Sequence, residues 1–311
     1  MEVTGPLRHL GELARAQVGR AAAARADGEA LGELERRPLP LPAGLEVEWL
    51  GVSGYRLTHE GHTLFVDPYL SRVPLRDLLL RRRALPDPGA LERFVRAPGK
   101  TVGVLVGHTH FDHAVDAPAL ARRLDCQAYG SASLVNLMGL HGMAERAVEV
   151  EPYRVYELGP FEVSFTPSRH SKLLLGLAVP YDGELTCEQL DSLSPAAYRC
   201  GQVWGISIAV AGIRLYHQGS ADLLDDAVRE RGVDVFLAGV AGRGFTERYW
   251  QRILSKLEPR VVVPTHYDNF FRPLGQELEF VTAADLARLP EEIAAVSGAI
   301  ELAALPRADG G

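Results

Sequence analysis

Three imidazoles and a carboxylate stand within six positions of the stretch Gly107-His108-Thr109-His110-Phe111-Asp112-His113, in a chain with only ten histidines among 311 residues. Imidazole and carboxylate are ligands for Zn(II), Mn(II) or Fe(II), and a set of His and Asp without Cys suits a catalytic centre better than a structural one. Read as extended chain, residues 108, 110 and 112 share one side, whereas the adjacent Asp112 and His113 diverge. Two neighbouring ions fit that spacing, His108 and His110 serving one, Asp112 and His113 the other. A polar loop in which Thr109 or Asp112 merely caps a helix is the alternative, and the density of ligand types argues against it.

The surrounding pattern shows what must position these groups. Residues 101–107, TVGVLVG, form a continuous apolar run that predicts a strand buried on both faces, so the ligand segment begins where that strand ends. Upstream, LEVEWLGVSGYRLTHEGHTLFVDPYL predicts a meander of two or three strands that turns at Glu60-Gly61 and closes at Asp67-Pro68. Downstream come a helix over 116–124, strands in QAYG, VEVEPYRVYELG and FEVSFTPSRH, and a hairpin around Ala211-Gly212. DVFLAGVAG, a helix over 246–257 and RVVVPTHYDNF then repeat the strand-helix-strand theme.

Ahead of all this, residues 7–36 carry Leu7, Leu10, Leu13 and Val18 at helical spacing, and Pro38, Pro40 and Pro42 end any helix there. The chain therefore divides into a helical extension with its linker, 1–43, and a catalytic domain, 44–311. Two inserts should flank the mouth of the site: 71–97, read as short helices, and 171–202, long and irregular. Their Leu and Tyr content points to a partly apolar pocket, and Leu173-Leu174-Leu175 suits either an acyl chain or the core. Arg81-Arg82-Arg83 reads as a solvated face.

Composition narrows the classes further. An apolar fraction of 47% and a charged fraction of 23% are those of an ordinary globular protein. A net charge of −7 argues against a general nucleic-acid binder, which needs clustered Lys and Arg. Cys126, Cys187 and Cys200 are too widely spaced for a disulfide framework or a metal knuckle. No run of about 18 apolar residues appears, so no membrane span is expected. The N-terminus lacks a secretory pattern, which makes the cytoplasm the expected location.

HTHFDH resembles the His-x-His-x-Asp-His signature of the metallo-β-lactamase superfamily, and other residues follow in that superfamily's order. The resemblance implies an α/β fold, a four-layer αββα sandwich, here with an N-terminal helical extension and helical insertions. It implies His170, in FTPSRHS, as third ligand of the first metal and His266, in VVVPTHYDNFF, as ligand of the second. Asp67, in LFVDPYL, is the implied support beside the site, with Asp268 as a second candidate for holding a ligand ring. One departure stands out: where the superfamily places a bridging aspartate after a strand, this chain has Ser220. Asp222 then either reaches the metals through a reshaped turn or caps a following helix.

The implied cofactor is one or two divalent ions, Zn(II) first, with Mn(II) or Fe(II) as alternatives. The implied chemistry is attack of metal-activated water on a carbonyl or phosphoryl centre, with Asp112 holding the water and moving its proton. The strand turn VEWLGVSGYRLTHEGHTLFVDPYL and the PTHYDNFF ending look most similar to the branch of L-ascorbate 6-phosphate lactonase and N-acyl phosphatidylethanolamine phospholipase D. There a histidine often follows the glycine of the first turn, where this chain has Val52. A lactone, ester or phosphodiester of a small molecule, with an apolar or acyl part, is the expected substrate, and self-association is left open. An iron-dependent redox enzyme, or a nuclease, is the competing reading.

Overall fold

In the computed structural model, which describes residues 19–173, 176–282 and 284–308, the strands gather into two sheets. The first holds β1 (Glu46–Gly51), β2 (Gly54–His59), β3 (His62–Val66), β4 (Lys100–Leu105), β5 (Ala128–Gly130) and β6 (Ala147–Glu149) side by side in chain order. β1 to β3 are the expected antiparallel meander, and β3 to β6 are parallel. The second sheet contains β7 (Val155–Leu158), β8 (Phe161–Ser168), β9 (Val203–Val210), β10 (Ile213–Gln218), β11 (Val235–Gly239), β12 (Val261–Thr265) and β13 (Glu301–Leu302). Here β7 to β10 are antiparallel and β10 to β13 parallel.

The parallel strands are the ones with unbroken apolar runs. Every residue of β11 (VFLAG) and β12 (VVVPT) is buried, as required of strands covered on both faces. Between the sheets lies a core that includes Trp49, Tyr55, Phe161, Phe165, Ile206 and Leu237. Val104, Leu120, Leu134, Leu137 and Met138 form a second core where helices Ala117–Arg123 and Ala132–Leu140 cover the first sheet. Helix Tyr249–Leu257 covers the second sheet, burying Trp250, Ile253, Leu254 and Leu257. The layers run helix, sheet, sheet, helix, which is the αββα sandwich.

Helix Ala132–Leu140 has no counterpart in the sequence reading. Its residues, ASLVNLMGL, are apolar nearly all round, so no 3.6-residue stripe announces it. The N-terminal helix is Arg20–Glu35, and Leu7, Leu10, Leu13 and Val18 lie outside the described residues. That helix is docked against residues near the C-terminal end of the described chain. The Asp27 carboxylate accepts from the Ala287 amide at 3.1 Å, and the Leu34 carbonyl accepts from Ala304 at 3.1 Å. Cys126, Cys187 and Cys200 are free thiols, and no helix of the described residues is long and apolar enough to cross a membrane.

Asp67, His108, His170, Gly219 and His266 each follow the end of a strand, β3, β4, β8, β10 and β12 in turn. Parallel sheets place their loops, and hence their ligands, at the carboxyl ends of strands. The inserts crown this edge. The buried carboxylate of Asp116 accepts from the amides of Leu70 at 2.6 Å and Ser71 at 2.9 Å and from the Ser71 hydroxyl. Burial pushes the Asp116 carboxyl up to about 6 even so. Ala84 then ties one insert to the other, donating to Leu193 at 2.9 Å and accepting from the Tyr198 hydroxyl at 2.7 Å. Asp116→Ala strips three donors of their acceptor and should lower the unfolding free energy by about 3 kcal/mol. Urea denaturation checks this, and a loss under about 1 kcal/mol would show that the insert is held by other contacts.

Candidate metal centre

The ligand segment is not extended throughout. His110 has φ −60° and ψ 150°, and the chain then turns helical over Phe111–Ala114. Asp112 and His113, which an extended chain would splay apart, therefore converge. The donors fall into two groups, His108 with His110 and His170, and Asp112 with His113 and His266; within each, one donor atom per residue lies within 4.8 Å of the others. The groups adjoin, since the rings of His108 and His113 are 3.9 Å apart between centroids. Of the six residues only His266 is not buried.

Fixed acceptors decide which nitrogen of each ring is free. Backbone carbonyls accept only, so the 2.8 Å contact of His110 Nε2 with the Pro180 carbonyl puts the proton on Nε2. His110 Nδ1 is left to face His108 Nε2 at 3.1 Å. The Ser171 carbonyl, 2.7 Å from His170 Nδ1, frees that ring's Nε2 in the same way. His113 donates from Nδ1 to Asp67 Oδ2 at 2.8 Å, which frees its Nε2, 3.8 Å from Asp112 Oδ2. His266 Nε2 lies 3.2 Å from the same Asp112 oxygen, and its buried Nδ1 has no hydrogen-bond partner.

The electrostatics favour neutral donors in the first group. Burial, reinforced by the neighbouring imidazoles, holds His108 well below the ordinary histidine range. Burial likewise takes His110 down to about 4 and His170 down to about 3. In the second group burial would raise the Asp112 carboxyl, but His113 and His266 outweigh it and hold the group below the usual carboxylate range. Burial works against a charged His113, and Asp67 with Asp112 overcome it and raise that ring. Lone pairs that face one another at 3.1 Å in a dry site, beside an ionised carboxylate, are the donor chemistry a divalent cation requires.

Asp67 is fully buried and accepts from the Gly107 amide at 2.6 Å, from His113 and from His217 Nε2 at 2.9 Å. It thus supports a candidate ligand ring, as the resemblance implies. Asp268 does not. Its carboxylate accepts from the Val52 amide at 2.8 Å and from Arg72 at 2.9 Å, and reaches no candidate ligand ring. It acts on the backbone instead. Val52, in left-handed conformation at φ 51°, accepts through its carbonyl from the His266 amide at 2.7 Å and from the Thr265 hydroxyl.

Asp222 joins neither group. No helix starts there, and the carboxylate is turned to Arg252, 3.2 Å away, and to the Leu223 amide at 2.8 Å. The guanidinium also clasps Asp225, so this turn is held away from the donors. Ser220 accepts from the Ser171 amide at 3.0 Å.

Two participants escaped the sequence reading. His217 ends a buried strand, two residues before Gly219, and that position was the available signal. Pro180 contributes a carbonyl and carries no side-chain signal. His59 and His62 lie beside the β2–β3 turn, bonded to the Gly44 and Glu60 carbonyls, and His141 follows a helix, all apart from the donors. Leu173 forms a small turn with Ala178, and Leu174 and Leu175 lie outside the described residues. A cavity of about 560 Å³ between the first insert and Pro273-Leu274 contains none of the six donors.

Residues 46–266 match the family model described as the beta-lactamase superfamily domain. A metal-dependent hydrolase of Lysinibacillus sphaericus is 26% identical over 252 residues, covering 79% of this chain and 94% of the relative. Among solved structures, the metallo-beta-lactamase fold protein YhfI of Bacillus subtilis aligns with a TM-score of 0.53 at 15% identity, over 85% of this chain and 96% of that one. A metallo hydrolase of the archaeon Ignicoccus hospitalis, Igni18, gives 0.51 at 19% identity, over 86% and 96% of the two chains.

Two outcomes follow from the site. With its carboxylate committed to Arg252, Asp222→Ala should leave the metal content per chain unchanged, as measured by elemental analysis; loss of one ion would make Asp222 a ligand. In the metal-free chain, folded His110 and His170 refuse protons that the unfolded chain takes up below the ordinary value of 6.5. Stability of that form should therefore fall as pH drops from about 6.5 towards about 4, and calorimetry from neutral to acid pH reads it.

Proposed function

The chain belongs to the beta-lactamase superfamily, and on that premise we propose that it is a metal-dependent hydrolase of a small-molecule ester, lactone or phosphodiester. The observation that carries this reading is the pair of adjoining donor groups with Asp112 beside their junction. Divalent ions held there, by His108, His110 and His170 and by Asp112, His113 and His266, would supply Lewis acidity and activated water.

This chain's own residues do the rest. The Pro180 and Ser171 carbonyls and Asp67 hold three rings in the orientation that presents a free nitrogen. Asp112, ionised and facing His113 and His266, is the group placed to accept and pass on the proton of an attacking water. Buried walls keep bulk water from competing, which strengthens each electrostatic contact. Beside His266, Phe270 approaches at 5.8 Å between ring centroids and packs, with tilted rings, against Phe271 and Phe111. Both Phe270 and Phe271 are partly exposed, a surface suited to an apolar portion of the substrate. The acidic net charge of −7 favours such a substrate over nucleic acid.

Elemental analysis of the purified chain, paired with a panel of lactones, esters and phosphodiesters, tests the proposal. Zinc at two ions per chain with turnover of one panel class is the expected outcome. Bound iron with oxygen consumption and no hydrolysis would instead select a redox enzyme. Asp112→Ala should lower kcat by on the order of 10²- to 10⁴-fold, and retention of full activity would remove Asp112 from the mechanism.

A further inference from the structure

Large apolar side chains stand exposed at five places among the described residues, and three of them fall in one turn of the first insert: Leu75 at 47%, Leu79 at 72% and Leu80 at 61%. They belong to the short helix Leu75–Leu79 and the residue that follows it. Arg76 lies among them and Arg81, Arg82 and Arg83 follow directly, all exposed, against a single aspartate, Asp77. Asp77 lies at 3.8 Å from Arg76 and 3.7 Å from Arg82, Arg83 meets Asp191, and Arg81 forms no ion pair among the described residues. A basic run alone is an ordinary solvated face, but three adjacent exposed leucines are not. In a chain of net charge −7, this turn is locally positive.

The segment is also firmly held. Arg82 donates its amide to the Asp77 carbonyl at 2.8 Å, and the buried Ala84 anchors the chain to Leu193 and Tyr198 of the second insert. A held segment that exposes three leucines beside four arginines matches a lipid–water interface. Leucines enter the acyl boundary, and arginines keep their stems in contact with them while the guanidinium groups reach phosphates.

We propose that the turn over residues 75–83 docks this protein on the surface of an anionic phospholipid bilayer, without spanning it. Leu75, Leu79 and Leu80 enter the membrane boundary, and Arg76, Arg81, Arg82 and Arg83 meet the headgroup phosphates. The same turn is tied through Ala84 to the insert whose Pro180 carbonyl accepts from His110, which connects the docking segment to the candidate metal centre.

Flotation of the full chain with vesicles of equimolar phosphatidylcholine and phosphatidylglycerol, against phosphatidylcholine alone, tests this. Binding to the anionic vesicles only, weakened by salt, is expected. Arg81→Ala and Arg82→Ala should each weaken it roughly fivefold. Leu79→Ser combined with Leu80→Ser should weaken it by more than about tenfold. All three variants change exposed positions, and an unchanged thermal melt shows that they remain folded. Absence of flotation at low salt would overturn the proposal. So would variants that float like the parent, or a leucine variant that keeps full binding, since charge alone would then account for the contact.

Discussion

One buried carboxylate organises the catalytic edge. Asp67 is fully enclosed, and removing such a charge from water costs several kcal/mol unless its lone pairs are filled. Three donors fill them: the Gly107 amide, the imidazole of His113 and the imidazole of His217. They come from the end of β4, from the candidate ligand segment and from β10, so a single group fastens the first sheet, the candidate ligands and the second sheet together. The arrangement leaves no room for a side chain at Gly219, where an added Cβ would stand 2.9 Å from Asp67 Oδ2 and 3.1 Å from His113. Gly219 is fixed by contact rather than by its backbone angles.

The site is assembled against the preferences of its parts. Five histidines and one aspartate would each be better hydrated in isolation, and the fold holds most of them dry, with compensation supplied ring by ring through carbonyls and carboxylates. Part of the chain's backbone strain lies here: of the thirteen described non-glycine residues with positive φ, Val52, Asp67, Arg72 and His266 stand around this site. Such strain persists only where surrounding bonds over-determine the chain, and it collects at functional sites. Val52 shows how, with its amide on Asp268 and its carbonyl taking up the His266 amide, the Thr265 hydroxyl and the Trp49 indole. Asp268, expected to steady a ligand ring, steadies the peptide that carries one.

Much of this was legible in the residues. Continuous apolar runs marked the parallel strands, because those strands are covered on both faces, and alternation marked the meander. Four donors could be named from the density of ligand types in HTHFDH, and His170 and His266 from their place in the order of the superfamily that this segment resembles. What escaped has a common physical cause. Pro180 acts through its carbonyl, which every residue possesses. His217 acts on Asp67 rather than on a candidate ligand nitrogen. Asp222 lay close in sequence to the expected bridge, but Arg252, thirty positions later, claims its carboxylate, and no local pattern reports a partner that distant. The divergence expected of Asp112 and His113 assumed an extended chain, and the helical turn at Phe111 removed it.

Pro180 carries a final implication. The proton it fixes on His110 Nε2 decides which nitrogen of that ring is a donor, and Pro180 belongs to the irregular insert at the mouth rather than to either sheet. If substrate moved this insert, substrate binding and cation retention would be thermodynamically linked through one backbone carbonyl. A ligand that displaced the insert would change the affinity of the first donor group for a cation, and a cation there would change the affinity for the ligand by the same factor. Remodelling this loop towards a new substrate would have to preserve that carbonyl's position, a constraint that falls on shape and leaves the identity of nearly every side chain in the segment free.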